Sequence, residues 1–169
     1  MSTPINSYST SGTDPATSGA AIVGAERRHS NGPGPEIMDA ATLEGDTVVN
    51  SSGEDLGKIE AIMLDVSGGR IAYVVLSFGG FMGVGSKYFA VPWSALTLDA
   101  GERRFILGLS KDRLENAPGF DKDHWPSMAD RTWATQVHAY YNATPYWEDE
   151  PGTSRVRPWT PDELTPIKM

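Results

Sequence analysis

Several absences bound what this chain can be. Its 169 residues include no cysteine, so disulfides, thiolate metal sites and thiol nucleophiles are excluded. No apolar run approaches the roughly 18 residues expected of a membrane-spanning helix. The opening residues, MSTPINSYSTSG, carry neither a basic region nor a continuous apolar stretch, so no secretory signal is expected and the location is read as cytoplasmic. Positive charge is scarce: 14 Lys and Arg stand against 22 Asp and Glu, a net charge of −8. The acid is spread along the chain, and no basic stripe offers itself to a phosphate backbone, so nucleic acid is not an expected partner. Hydrophobic residues make up 39% of the sequence, and mean hydropathy is −0.34. That is enough for one modest core in one domain with tails.

What is present falls into four stretches. Residues 1–36 are rich in Ser, Thr, Gly, Pro and Ala without apolar periodicity, and are expected to form a disordered tail, the alternative being that a few residues such as Ile22 and Val23 lie down on the domain. Residues 37–110 show strand signals over Asp46–Asn50, Leu56–Ser67, Ile71–Phe78, Lys87–Val91, Trp93–Leu98 and Arg103–Leu107. Turn residues separate them: Ser51 to Asp55, the Gly68-Gly69 pair, the glycine-rich loop Gly79–Ser86, and Asp99 to Glu102. About six short strands at hairpin spacing predict a mainly β protein, a small antiparallel β-barrel. Residues 111–147 change character. Ser110 can cap a short helical turn, and Asp130 can cap a helix in which Trp133, Val137 and Tyr140 share a face. This stretch is read as a short helical extension rich in aromatics, and residues 148–169 as a Pro-rich acidic tail.

The order LGKIEAIMLDVSGGRIAYVVLSFGGFMGVGSKYFAVPWSAL resembles the PRC-barrel family, named for the cytoplasmic domain of the photosynthetic reaction centre H subunit. The likeness rests on Gly57-Lys58-Ile59, Asp65, the run Ile71 to Leu76, the Gly79–Gly85 loop, the run Lys87 to Trp93, and Leu96. The segment that follows looks like the extension of stand-alone bacterial members. The resemblance implies a small barrel used for binding and docking, with no agreed activity and no cofactor.

Candidate chemistry is sparse. The glycine loop ends Gly85-Ser86-Lys87 and runs into a strand, whereas a phosphate-binding loop places Lys directly after the last glycine and then opens a helix. Asp121, Asp123 and His124 gather metal-ligand atoms, but Trp125 and Pro126 stand where a calcium loop needs an oxygen ligand and a glycine. A transition-metal site there would need a further ligand, such as His138. Otherwise His138 is read as an ordinary amphipathic residue beside the aromatic stripe. Between Phe120 and Trp147 seven aromatic residues fall within about 28 positions, and aromatics are favoured where surfaces meet. Trp125, Trp133 and Tyr140, with Phe81 and Met82 at the loop tip, are therefore the interface candidates. The expected function is a non-enzymatic protein-binding or scaffolding module that forms a homodimer. The alternative is a small-ligand or metal-binding protein, or an enzyme, with a site between barrel and extension near Asp123 and His124.

Overall fold

The β-branched run Arg70–Phe78 forms a strand flanked on both sides by antiparallel neighbours. The computed structural model describes residues 19–24, 37–79 and 85–148. In chain order these form β1 (Ala21–Val23), α1 (Ala40–Leu43), β2 (Thr47–Val49), β3 (Asp55–Asp65), β4 (Arg70–Phe78) and β5 (Lys87–Pro92). A 3-10 turn at Trp93–Ala95 leads to β6 (Leu96–Asp99), β7 (Arg104–Leu107), α2 (Lys111–Glu115) and α3 (Arg131–Tyr140). Among the described residues, no helix is long and apolar enough to cross a membrane.

The strands build one seven-stranded sheet in the order β1-β6-β7-β2-β3-β4-β5. Two expectations are corrected here. The sheet is mixed rather than wholly antiparallel, because β2 pairs β7 in parallel and β1 pairs β6 in parallel. Parallel neighbours must be joined by a long connection, and here whole hairpins intervene between β2 and β7. Local turn chemistry reports only the adjacent antiparallel pairs. Nor is the sheet closed into a barrel: among the described residues no pairing joins β5 to β1. The outer edge of β5 is instead bridged by the extension, where Tyr88 and Phe120 exchange backbone hydrogen bonds of 2.8 and 2.9 Å.

Local chemistry explains the antiparallel arms. Asp65 ties the β3–β4 turn, accepting from the Gly68 amide at 3.2 Å and pairing with the Arg70 guanidinium at 3.1 Å. Between β2 and β3, buried Asn50 accepts from the amides of Ser52 (3.0 Å) and Glu54 (2.9 Å), an Asx-type turn that satisfies its own polar atoms. Gly57 has a φ of +122°, and a Cβ there would lie 2.0 Å from the Ser77 carbonyl oxygen, so only glycine lets β3 lie this close to β4. Beyond Pro92 the chain does not continue as strand, contrary to the expectation for Trp93–Leu98. Trp93–Ala95 coil into the 3-10 turn, closed by the Leu96 amide on the Trp93 carbonyl, and pairing resumes at Leu96. Ala21–Val23 is likewise a strand, where an unstructured tail was expected over residues 1–36.

The inner face of the sheet buries Val48, Leu56, Ile59, Leu76, Phe89 and Phe105, with Leu114 of α2 closing the end. The outer face of β4 and β5 is covered as well, by α3: Ala134 and Val137 pack on Ala72, Tyr73 and Ala90. That is why Ala72 to Leu76 are buried without alternation. A strand covered on both faces has no solvent side to mark with polar residues.

Candidate functional site

The extension is set in place by two side-chain caps. Ser110 accepts the Arg113 amide at 3.3 Å to start α2, and Asp130 accepts the Trp133 amide at 2.8 Å to start α3. Tyr140 then locks α3 to α2, donating its hydroxyl to the Arg113 carbonyl while the Arg113 guanidinium lies 5.6 Å from the ring centroid. The buried seam of α3 is Ala134, Val137 and His138. Trp133 and Tyr140, expected on the packing stripe with Val137, flank this seam half-buried.

His138 is the residue sequence reasoning misplaced. It is 1% exposed, enclosed by Tyr73 at 5.3 Å, Tyr146 at 5.7 Å and Trp147 at 5.1 Å between ring centroids. Its Nδ1 lies 2.8 Å from the Ala134 carbonyl oxygen. A carbonyl only accepts, so Nδ1 carries the proton. Burial holds the ring's pKa below its usual value, against smaller opposing effects of that hydrogen bond and of Glu148, so the ring is neutral at pH 7. Tyr73 stacks edge-on to Trp133 at 5.6 Å and to Tyr146 at 5.7 Å, and among the described residues its buried hydroxyl has no partner at hydrogen-bond geometry, Tyr146 being its polar neighbour. Burial, with Tyr146 beside it, pushes the Tyr73 pKa up. Two cations cover this aromatic layer: the Arg70 guanidinium lies 5.6 Å from the Tyr146 centroid, and that of Arg131 lies 4.3 Å from the Trp147 centroid. A signal for His138 exists in the sequence, since residues 134, 137 and 138 form an i, i+3, i+4 stripe. The neighbouring aromatics Trp133 and Tyr140 offer a competing stripe with Val137.

The candidates at 121–125 form a different feature. Asp121 Oδ1 accepts the Asp123 amide at 2.9 Å and sits 2.7 Å from His124 Nδ1. The hydrogen bond from His124 is the main reason the Asp121 carboxyl lies below its usual pKa. The His124 side chain is 82% exposed, and among the described residues no group of three His, Asp or Glu side chains could hold a metal ion. His138 has other neighbours and does not join this turn. Trp125 donates Nε1–H to the Lys122 carbonyl at 2.9 Å, and its ring packs 5.1 Å from Phe120 and 6.3 Å from Tyr88. It remains 44% exposed. Phe81 and Met82 lie outside the described residues.

The arrangement therefore offers a rigid, partly exposed aromatic surface beside the β5 edge and a sealed aromatic layer under α3. Comparison with family models matches residues 35–114 to the PRC-barrel domain. A search of curated proteins finds no match.

Proposed function

Residues 35–114 of this chain are a PRC-barrel domain, and on that premise we propose that the protein is a non-enzymatic binding or scaffolding module that self-associates as a homodimer. The observation that carries this reading is Trp125. It is a large ring held in one orientation by a hydrogen bond and two aromatic neighbours, yet 44% exposed. A ring ordered before contact loses little further freedom on binding, and such anchors contribute most of the affinity where surfaces meet. Further apolar exposure at Leu64 and Val66 on the β3–β4 hairpin fits the same reading. The cytosol is the setting we propose for it, since a chain without cysteine draws no benefit from an oxidising compartment.

Light scattering at high micromolar concentration tests self-association. The wild-type chain is expected at twice the monomer mass, and Trp125→Ala is expected to shift it towards monomer with little change in the unfolding midpoint. A wild-type monomer at those concentrations would remove the homodimer from the reading. The alternative of a metal or small ligand near Asp123 and His124 has less behind it, because Asp121 already engages His124 Nδ1. A stoichiometric metal lost in His124→Ala would reverse that ranking.

A further inference from the structure

The strand β1 lies outside the matched domain, yet it extends the sheet. It runs parallel to β6 with Ala21 against Thr97, Ile22 against Leu98 and Val23 against Asp99. The Val23 carbonyl then accepts the Ala100 amide at 3.0 Å. The next residue, Gly24, has a φ of +72°, and a Cβ there would stand 3.0 Å from the Gly101 nitrogen and 3.2 Å from Asp99 Oδ1. The β6 edge thus reads a short pattern: an apolar strand followed by a glycine that admits the β6–β7 turn. The strand is held lightly, since Ile22 stays 39% exposed and Val23 44% exposed.

Every one of these contacts is between Ala21–Gly24 and the β6–β7 hairpin, and residues 24–39 separate β1 from α1. The same hydrogen bonds and the same glycine fit form whichever copy of the chain supplies β1, so only the tether favours the copy it belongs to. A second copy carries the pattern by identity. Resting on the self-association proposed above, we infer that the β6 edge is a strand-acceptor site whose occupant in the dimer is Ala21–Val23 of a second copy, exchanged reciprocally. Once two chains are held together by another surface, each donated strand searches at the high local concentration of a tethered segment, which offsets its small buried area.

The absence of native cysteine makes the exchange directly trappable. Ala21→Cys and Thr97→Cys, which occupy partner positions, are prepared in separate chains, mixed at light-scattering concentrations and treated with a short bismaleimide. A mixed covalent dimer several-fold above a control mixture of Ser51→Cys and Thr97→Cys is expected, and Gly24→Val in the Ala21→Cys chain should abolish the excess. In a chain carrying both cysteines, cross-links between chains should rise with concentration. Cross-links confined within single chains at every concentration, or no excess over the control, overturn strand exchange. If light scattering still gives a dimer in that case, exchange fails while self-association stands. A monomer with no trapped pair overturns both.

Discussion

On the inner face of the sheet, Val48, Leu56, Ile59, Leu76, Phe89 and Phe105 meet in an apolar cluster. On the outer face of β4 and β5, at one end of the same sheet, Tyr73, His138, Tyr146 and Trp147 fill the layer under α3 with rings that carry polar atoms. Both layers bury a side chain completely, Phe105 in one and His138 in the other, with different consequences. The inner layer depends on volume and apolar area alone. The outer one also depends on a protonation state and on an orphan hydroxyl, so solution conditions can act on it. Position in the chain tracks the difference: the inner cluster is built within residues 35–114 save for its margins, whereas the outer layer needs α3 and Tyr146-Trp147, beyond the matched domain.

The largest effect should come from emptying the inner layer. Phe105 is 0% exposed, and Phe105→Ala is expected to cost about 3–5 kcal/mol in denaturant unfolding. Trp93 packs on Phe105 at 5.8 Å but is only half-buried, so Trp93→Ala should cost less, about 2 kcal/mol. Equal losses at the two sites would mean that Trp93 belongs to the core proper.

The next effect separates the layers by pH. The neutral form of His138 is favoured by burial, so its folded pKa lies below the unfolded value. Stability from this group is therefore fully present above about pH 6.5, the ordinary value of a histidine in an unfolded chain, and is lost as pH falls from there towards the folded pKa. Protonation would put a cation among Tyr73, Tyr146 and Trp147, with Arg70 and Arg131 already over the outer rings, and the Ala134 carbonyl and the Glu148 carboxylate offset this in part. Melting temperature followed from pH 7.5 to 5 should fall in the wild type and fall less in His138→Phe. Parallel curves for the two proteins would show that the outer layer does not sense this proton. The smallest effect is expected from Tyr73→Phe. Removing a buried hydroxyl that has no partner among the described residues should leave stability unchanged or raise it by up to about 1 kcal/mol, and a clear loss would reveal a bond to Tyr146.

Much of this was legible in the chain. The β-branched run of β4, the turn at Gly68-Gly69, and the caps Ser110 and Asp130 each depend on residues a few positions apart, where local chemistry is decisive. The open, mixed sheet was not legible. The neighbours β2 and β7 lie more than fifty residues apart, and no turn signal can report such a pairing. Trp93–Ala95 resembles a strand in composition, and the 3-10 turn appears only because Pro92 ends the β4–β5 ladder there. At 121–125 spacing alone brings Asp121, Asp123 and His124 together, while the exposure of Trp125 depends on how Phe120 meets the β5 edge.

By itself the sequence determined the strand periods, the helix caps, the acidic surface without cysteine and the family likeness, because each is written in spacing or composition. Only the tertiary structure decided which edges meet, that Ala21–Val23 closes one of them, and that His138 rather than Tyr140 is sealed under α3. Those outcomes depend on which surfaces the folded sheet leaves uncovered, and burial of that kind arises between segments that the sequence keeps apart.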